Sequence, residues 1–388
     1  MNRIPRLLVL ASTYPGTPDD GTPAFVRDLA IRESEAFETL VVVPRVPGAP
    51  ATEQEGALTV RRFAYFPRRW EDLARGAIIE NLRSRRSRWL QVLPFFVAES
   101  LAVRRAVREF RPDVVHAHWI IPQGLVLALV APRVPRIVTT LGGDLYALRA
   151  GVLQRLKAWV VRGSRAVTVM NEEMADIVRE LGGRDVRVSP MGADLSAFRD
   201  SAKVARGTGP ALRLLFVGRM VEKKGLGVLL SALRGLDVPV SLTAVGDGPL
   251  RAEMERQAGG LDVRFVGQLG RADLARAYAE ADIVVVPSVA AASGDKDGLP
   301  VAMLEAMGSG CAIVASDLPG LNEAVVDGVS GILVPSGDPD RLAACLRDLE
   351  ADRERVGGLG SAAAERAESF SVERVGDRYV DLLTSVLA

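Results

Sequence analysis

Two carboxylates, Asp297 and Glu305, lie on either side of a predicted helix start in the second half of the chain. They follow the buried-strand pattern Ile283–Val286, and the helix is predicted to open at Leu299, with Pro300 in its first turn, where a missing N–H removes no hydrogen bond. The unpaired backbone N–H groups of such a turn and the helix dipole both favour a bound anion. A phosphate at the helix end and sugar hydroxyls on the two carboxylates would together suit a nucleotide-sugar.

A basic loop bounded by glycines follows another predicted strand. Gly218 and Gly225 allow a sharp turn and a close approach of the backbone to a ligand. Between them, Arg219 and Lys224 place a planar fork and a compact charge at the carboxyl end of the strand, a combination that suits a diphosphate. Alone, the loop fits a solvated basic turn equally well, but its combination with the carboxylate segment favours a phosphate site.

Glycines also close the next two strand patterns. Gly246 begins a Gly-Asp-Gly-Pro turn, and Val266 and Gly267 end the strand that follows. Backbone groups at these positions could contact the edge of a base, although ordinary strand exits explain both turns equally well.

The composition restricts the class of protein. The 388 residues are 48% hydrophobic and 25% charged, which is ordinary for a globular protein of about two domains. The net charge of +1 argues against general nucleic-acid binding, so no nucleic-acid partner is expected. With two cysteines and no apolar run long enough to span a membrane, we expect a reduced, cytoplasmic protein, which could still rest on the inner face of a membrane.

Short apolar strand patterns alternate with helical patterns along the chain, which predicts parallel sheets covered by helices on both faces. The predicted strands lie near Leu7–Leu10, Thr39–Val43, Thr59–Phe63, Val114–His118, Ile137–Leu141, Ala166–Met170, Val186–Ser189, Leu214–Val217, Ser241–Val245, Val263–Val266, Ile283–Val286, Ile313–Ala315 and Ile332–Val334. Helices are predicted at Ala24–Phe37, Phe96–Phe110, Leu153–Arg162, Glu172–Leu181 and Ser371–Leu387.

A polar segment with glycine and proline but no periodicity, residues 200–211, separates the two series of strands. It predicts an N-terminal domain of residues 1–200 and a C-terminal domain of residues 201–370, followed by a terminal helix within 371–388. We expect two doubly wound, Rossmann-like α/β domains that face each other across a cleft, with ligands at the carboxyl ends of the strands.

The two histidines, His116 and His118, end one predicted strand, and the alternation of side chains places both on one face of the sheet. No cysteine or acid at a suitable spacing completes a metal site there, so the simpler interpretation is that both histidines form structural hydrogen bonds. Because His118 lies at the end of the strand, it is also a candidate for substrate contact. The Asp-Lys-Asp sequence at 295–297 resembles a metal motif, but its central lysine and the lack of a third acid nearby argue against a metal.

Residues 61–93 combine arginines with apolar side chains. Positions 61 to 90 carry nine arginines and three acidic residues, a net charge of +6, with tryptophans and aliphatic residues between them. Such a basic amphipathic stretch favours contact with an anionic membrane surface over a solvated helix face whose arginines cover apolar neighbours.

The chain resembles the retaining glycosyltransferase family 4, a group with the two-domain GT-B architecture, over nearly its whole length. The segments that carry the resemblance are Gly218–Gly225, Pro287–Met307, Ser316–Pro335 and the sequence His116-Ala-His-Trp-Ile-Ile-Pro-Gln-Gly124. The terminal segment Phe370-Ser-Val-Glu-Arg-Val resembles the family helix that crosses back to pack on the N-terminal domain.

This resemblance implies roles for individual residues. Arg219 and Lys224 would bind the donor diphosphate and stabilise it as it leaves. Glu305 would hold the ribose hydroxyls, and Asp297, at the first acid of the family's Glu-x7-Glu signature, would lie near the donor sugar. Gly21 would approach the donor from the other domain. The predicted donor-binding residues are Gly21, Gly218, Arg219, Lys224, Gly246, Val266, Gly267, Asp297, Gly298, Leu299, Pro300, Val301 and Glu305.

Two positions depart from the family pattern. Asp297 replaces the usual glutamate and is one methylene shorter. Leu141 replaces the histidine that usually precedes Gly-x-Asp and contacts the donor sugar. Because leucine cannot hydrogen-bond, the resemblance implies an altered sugar contact, a substitute such as His118 or Asp144, or lost activity. The predicted catalytic residues are Arg219, Lys224, Asp297, His118 and Asp144.

The resemblance implies a retaining, metal-independent glycosyltransferase of the hexosyltransferase type that uses no cofactor beyond its nucleotide-sugar co-substrate. A UDP-sugar is favoured over a GDP-sugar, and the acceptor would be a saccharide or a lipid-linked molecule in polysaccharide or glycoconjugate synthesis. Two other classes stay open: a sugar-nucleotide epimerase of the same fold and a non-catalytic nucleotide-sugar-binding protein. A nicotinamide dehydrogenase is disfavoured, because no Gly-x-Gly-x-x-Gly opens the first helix of either domain.

Overall fold

The computed structural model describes residues 3–17, 22–76, 78–146, 151–199, 209, 211–292 and 296–387. The chain divides into two compact units: an N-terminal unit, Met1–Gly192 with Val372–Ala388, and a C-terminal unit, Ala193–Ser371. The segment predicted to separate two domains lies almost entirely outside the described residues, and the division falls before it. Leu195 and Phe198 explain this earlier division, because both are buried in a core cluster of the C-terminal unit.

Within its described residues, the N-terminal unit forms an eight-stranded sheet in which one neighbouring pair, β3 with β4, is antiparallel and the others are parallel. The strands are β1 (Arg6–Leu10), β2 (Glu38–Pro44), β3 (Thr52–Glu55), β4 (Leu58–Phe63), β5 (Val114–His118), β6 (Arg136–Thr139), β7 (Ala166–Val169) and β8 (Val186–Val188), in the order β3-β4-β2-β1-β5-β6-β7-β8. Unbroken apolar runs such as Leu7–Leu10, which is fully buried, are typical of strands covered on both faces.

The described part of the C-terminal unit forms a six-stranded parallel sheet. Its strands are β9 (Leu212–Val217), β10 (Val240–Val245), β11 (Val263–Gly267), β12 (Ile283–Val286), β13 (Ala312–Ser316) and β14 (Ile332–Val334), in the order β11-β10-β9-β12-β13-β14. The chain runs outward from β9 to β11 and then returns to the other side of β9 as β12. In doubly wound sheets, such a reversal opens a crevice at the carboxyl ends of the two central strands, where ligands bind.

Helices connect the strands of both sheets. The helices of the first 192 residues are α1 (Phe25–Glu33), α2 (Ile78–Ser84), α3 (Val92–Phe110), α4 (Leu125–Val130), α5 (Gly143–Tyr146), α6 (Gly151–Arg162) and α7 (Glu172–Glu180). Those that follow are α8 (Ser196–Arg199), α9 (Leu226–Arg234), α10 (Arg251–Gln257), α11 (Arg271–Glu280), α12 (Val301–Gly308), α13 (Leu321–Ala324), α14 (Pro339–Ala351), α15 (Arg353–Ala367) and α16 (Val372–Leu387).

The terminal helix α16 belongs to the N-terminal unit, although it follows the C-terminal unit in sequence. Val375, Leu382 and Leu383 are buried in the N-terminal core. The buried Tyr379 hydroxyl donates hydrogen bonds to the Ser189 carbonyl oxygen at 3.0 Å and to the Thr168 hydroxyl at 3.2 Å. The periodicity of apolar residues in this segment therefore has its expected cause, an amphipathic helix that buries one face.

Candidate functional site

The loops that follow β9 and β12 meet at the crevice of the C-terminal sheet. Gly225 has a φ of +66°, and a Cβ atom at this position would collide with the carbonyl oxygen of Pro287. The Val289 N–H also donates to the carbonyl oxygen of Lys223 at 2.9 Å. Only glycine permits this left-handed conformation and this close approach together, so Gly225 fixes the basic loop against the loop after β12.

Asp297 is the centre of a polar cluster in this crevice. Its side chain is 8% exposed, and its Oδ2 lies 3.0 Å from Lys224 Nζ and accepts a hydrogen bond of 2.8 Å from the Ser288 hydroxyl. Lys223 Nζ lies further away, 3.9 Å from Oδ1. Burial alone would raise the pKa of Asp297, but the charges of Lys224 and Lys223 and the Ser288 hydrogen bond outweigh it and lower the pKa below its usual value. The carboxylate is therefore ionised and holds the Lys224 ammonium in place.

Helix α12 begins at Val301, two positions later than Leu299, where the prediction placed its start, and Pro300 is its N-cap residue rather than part of its first turn. Pro300 has a ψ of 125°, which is extended, and the residue before a proline is itself biased away from helical conformation. A proline side chain has no acceptor for the amides of the first turn. The amide groups at this helix start therefore keep their capacity to bind an anion.

Glu305 lies one turn inside α12 and is held from a neighbouring helix. The hydroxyl of Tyr278, in α11, shares its one proton between two acceptors, Glu305 Oε2 at 3.2 Å and the Ala302 carbonyl oxygen at 3.0 Å. Burial, followed by the charge of Glu305, raises the pKa of Tyr278 well above its usual value, so the phenol stays protonated and a donor. Tyr278 was not predicted as a site residue, because the local sequence around an aromatic residue does not indicate which neighbouring helix it will contact.

The remaining predicted donor-binding residues lie along the same edge of the sheet, where the structure describes them. Arg219 is exposed in the loop after β9. Gly246 has a φ of +125° and its N–H donates to the Gly267 carbonyl oxygen at 2.7 Å, which joins the turns after β10 and β11. Gly218, at the end of β9, donates to the Val245 carbonyl oxygen at 3.0 Å.

Four further predicted positions lie at the end of β11 and before α12. Val266 and Gly267 are the last residues of β11 and are half-buried. Gly298 and Leu299 lie in the bend before α12. Gly21 and Asp295 lie outside the described residues, so the structure has no bearing on their predicted roles.

In the N-terminal unit, the prediction that His116 and His118 share a face of the sheet is confirmed, since their rings lie 4.1 Å apart. Both are fully buried. His116 is hydrogen-bonded to Glu33 and Thr139, each at 2.7 Å, whereas neither ring nitrogen of His118 has a partner. Burial lowers the pKa of His116 to about 3, and burial with the neighbouring His116 lowers that of His118, so both rings are neutral. His118 remains a prediction as a substrate contact, and this buried setting does not support it.

Asp144 is also buried, at the start of α5. Its Oδ2 accepts from the Ile120 N–H at 2.6 Å and its Oδ1 from the Thr140 hydroxyl at 2.7 Å. Burial raises the pKa of Asp144, although both hydrogen bonds and the charge of Lys157 act in the opposite direction. These contacts join the loops after β5 and β6. The catalytic role of Asp144 stays a prediction.

A cavity of about 460 Å³ lies between α9 and α10 in the C-terminal unit. Its ionisable lining residues are Glu222 and Glu253, and none of the predicted donor-binding residues lines it. Two acidic side chains would repel a diphosphate. The cluster around Lys224 and Asp297, rather than this cavity, is therefore the better anion site. Among the residues that the structure describes, no group of three or more His, Cys, Asp or Glu side chains could hold a metal ion.

Solved structures of similar proteins identify the architecture. A sucrose-phosphate synthase from Thermosynechococcus elongatus matches with a TM-score of 0.76 at 21% identity, covering 98% of this chain and 99% of that one. Anabaena Alr3699/HepE in complex with UDP matches with a TM-score of 0.70 at 19% identity, covering 98% and 100%. At such identities the likeness shows the fold, which is the GT-B fold of two Rossmann-like units.

Sequence comparison gives the family. Residues 211–352 match the model of glycosyl transferases group 1, and residues 20–197 match that of glycosyltransferase family 4. The phosphatidyl-myo-inositol mannosyltransferase of Mycolicibacterium smegmatis is 31% identical over 291 residues, 72% of each chain. The amylovoran biosynthesis glycosyltransferase AmsK of Erwinia amylovora is 36% identical over 210 residues, so the match spans only 51% of that relative. The chain belongs to the family 4 glycosyltransferases.

Proposed function

We propose that the protein is a retaining, metal-independent hexosyltransferase that takes its sugar from a UDP-sugar, or less favourably a GDP-sugar. The acceptor is a saccharide or a lipid-linked molecule in polysaccharide or glycoconjugate synthesis. The observation that carries the proposal is the cluster of Lys224, Asp297 and Ser288 beside the start of α12. Here an oriented cation and a helix N-terminus, two independent features that attract phosphate, share one crevice.

The cluster suits a leaving diphosphate. An ammonium group has three N–H donors, so Lys224 can hold Asp297 at 3.0 Å and a phosphate oxygen at the same time. Arg219, exposed in the same loop, adds a second cation. When the bond between the anomeric carbon and the diphosphate breaks, its electron pair leaves with the diphosphate, and these groups stabilise the negative charge that develops. Because side chains supply this charge, no metal is required in the proposed reaction.

The nucleoside would be held one turn further along α12. Glu305 is a carboxylate acceptor, and two ribose hydroxyls are donors that match it. Tyr278 fixes the orientation of this carboxylate from α11, so that it need not be ordered when the nucleotide binds. UDP is favoured over GDP partly because the structurally similar Anabaena protein was solved with UDP.

The acceptor belongs to the N-terminal unit in this proposal. Retention of configuration follows if the acceptor hydroxyl attacks from the face that the diphosphate leaves, with its proton passing to the departing diphosphate oxygen. One relative is a phosphatidyl-myo-inositol mannosyltransferase, which supports a lipid-linked acceptor and work at the inner face of a membrane. No helix among the described residues is long and apolar enough to span a membrane.

Calorimetric titration with UDP, GDP and ADP tests the donor class, with a Glu305→Ala variant alongside. We expect UDP to bind best and the variant to lose about tenfold or more in affinity, because a charged hydrogen-bonding group is removed. Tyr278→Phe is the matched variant, since it removes only the hydroxyl that orients Glu305, and a smaller loss is expected. Failure of all three nucleotides to bind the wild-type protein would refute the proposal.

The stereochemistry needs a separate measurement. Once a donor binds, the anomeric configuration of the transferred sugar is read by NMR from the first turnover. Retention is expected, and inversion would contradict the proposed course. An Arg219→Ala protein should lose most of its turnover; full turnover in that variant would remove Arg219 from the reaction.

A further inference from the structure

The outer face of α3 carries a row of exposed apolar side chains. Three of its residues lie at intervals of four positions, which places them one above another on a helix. Two more continue the row into the 3-10 helix that precedes α3. The members of this apolar row are Trp89, Leu90, Leu93, Val97 and Leu101, with exposed fractions of 61%, 73%, 73%, 51% and 64%.

The row is a second apolar face, because α3 already buries its inner face. Phe95, Val103 and Ala106 are buried in the N-terminal core. A helix that is apolar on both faces normally has a partner on each. Contiguous exposed apolar surface of this kind marks a site of interaction with a protein or a membrane.

The sequence around the row is rich in arginine. From 84 to 108 it contains six arginines and a single acidic residue, Glu99. Two of these arginines are paired with acids outside that range, Arg88 with Asp72 and Arg105 with Glu109. Glu99 is buried and accepts a hydrogen bond of 2.9 Å from Gln123, so it does not reach the surface. Arg85 and Arg86 are exposed before the row, and Arg104 and Arg108 after it.

The exposed arginines of α3 share one side of the helix with the apolar row. At 3.6 residues per turn, Arg104 and Arg108 lie on the same side of α3 as Leu93 and Val97. The surface therefore consists of an apolar strip with cations at both ends. The tryptophan at its start, Trp89, belongs to the residue type enriched where hydrocarbon meets polar headgroups.

We infer that this apolar row and its flanking arginines dock on an anionic lipid surface. Aliphatic side chains would enter the boundary of the acyl chains while the guanidinium groups stay among the phosphates. A second copy of the same face is disfavoured, because self-pairing would bring arginines against arginines. The inference rests on the proposed function in one respect: such docking would bring the acceptor site to a lipid-linked substrate.

The surface inferred here overlaps the stretch predicted from the sequence, residues 61–93, at positions 85–93. At the start of that stretch, Arg62 is buried against Glu53, and Arg61 is paired with Glu109 at 2.9 Å. Arg68, Arg69 and Trp70 of the predicted stretch are exposed but lie outside the apolar row. The row adds Val97 and Leu101, beyond the predicted end at 93.

Co-sedimentation with vesicles tests the inference on the full-length protein. The vesicles are phosphatidylcholine alone or with phosphatidylglycerol, at low and high salt. The test variant is the triple change L93Q, V97Q, L101Q. Its matched control changes three comparably exposed apolar residues on other elements, V152Q, V326Q and V329Q. A second pair of proteins compares the double variant R104Q, R108Q with the double variant R256Q, R264Q. The latter removes the same amount of positive charge from another part of the molecule.

We expect binding to the anionic vesicles only, weakened by about tenfold or more in the triple variant and by salt, and nearly unchanged in both controls. The R104Q, R108Q variant should bind more weakly than its control. Equal binding by the triple variant and its control would overturn the inference. Absence of vesicle binding by the wild-type protein would also overturn it. The same holds if ultracentrifugation shows a dimer for the wild-type protein and a monomer for the triple variant. UDP titration of each variant separates these outcomes from failure of the proposed function, because it requires no lipid.

Discussion

Each unit holds one buried aspartate at the carboxyl edge of its sheet, and the two are held by different chemistry. Asp144, in the N-terminal unit, is surrounded mainly by neutral donors, a backbone N–H and a hydroxyl, and burial raises its pKa. Asp297, in the C-terminal unit, lies beside two lysines, which lower its pKa despite burial. The first arrangement supplies the buried Asp144 carboxyl group with hydrogen-bond donors, whereas the second keeps the Lys224 ammonium oriented in a crevice.

This difference bears on which of the two carboxylates is suited to a phosphate site. The Asp144 cluster joins two loops through a backbone N–H and a hydroxyl, and these contacts need no ligand. A buried carboxylate with an excess of lysines beside it leaves positive charge in the crevice, and positive charge at a helix N-terminus attracts phosphate. The comparison therefore supports the proposed donor site in the C-terminal unit, whereas the contacts of Asp144 join two loops of the N-terminal unit.

The largest effect is expected for Lys224→Met, which removes the oriented cation and leaves the apolar stem. Turnover of the donor should fall by about 10²–10³-fold, because one preorganised charge at the leaving group is lost. Initial-rate kinetics measure this. Lys223→Met is the matched control, since Lys223 lies 3.9 Å from Asp297 instead of 3.0 Å, and it should lose much less. Similar losses in both variants would mean that only the net charge of the loop matters.

A second prediction concerns Asp144→Ala. The change leaves the Ile120 N–H and the Thr140 hydroxyl without their acceptor in a buried place. The free energy of unfolding should fall by about 2–4 kcal/mol, measured by urea denaturation. Asp144→Asn keeps one acceptor oxygen and should cost less. A loss below about 1 kcal/mol in the alanine variant would show that this cluster contributes little to the fold.

The smallest expected effect is on the pH dependence of the free energy of unfolding, where the two aspartates are predicted to act in opposite directions. The folded-state pKa of Asp297 lies below its usual 3.8, so its contribution to stability is present above pH 3.8 and is lost as the pH falls through the folded pKa. For Asp144 the pKa is raised, so its contribution is complete below 3.8 and is lost as the pH rises through the folded pKa. Unfolding curves of Asp297→Asn and Asp144→Asn against wild type should therefore diverge in opposite pH directions. Divergence in the same direction would contradict the comparison.

The strands could be predicted because a strand that is buried on both faces of its sheet has an unbroken apolar sequence. Each of the thirteen predicted strands has a counterpart, and Val114–His118 and Ile283–Val286 have the predicted bounds. The strand β3 was missed because its sequence, Thr-Glu-Gln-Glu, is polar throughout. It pairs antiparallel with β4 at the edge of the sheet, where no burial is required. Local patterns reveal the core of a sheet better than its edges.

The residue types of the candidate site could be predicted from the sequence, but the side chains that hold them in place could not. Glycines, cations and acids after strands pointed to the residues of the crevice, because the carboxyl ends of parallel strands share an edge. The Ser288 hydroxyl that holds Asp297 and the Tyr278 hydroxyl that holds Glu305 depend on how distant elements pack. The deep burial of His118 depends in the same way on packing that local patterns do not reveal. Such contacts leave no mark in the local sequence.

The most direct test of the account is the affinity of UDP for Lys224→Met and Lys223→Met, measured by calorimetry beside the wild-type protein. Loss of a charged hydrogen bond predicts an affinity about 10–100-fold weaker for Lys224→Met. A change of less than about threefold is predicted for Lys223→Met. Equal affinities in the two variants, or undiminished binding by Lys224→Met, would contradict the claim that an oriented lysine beside Asp297 forms the diphosphate site.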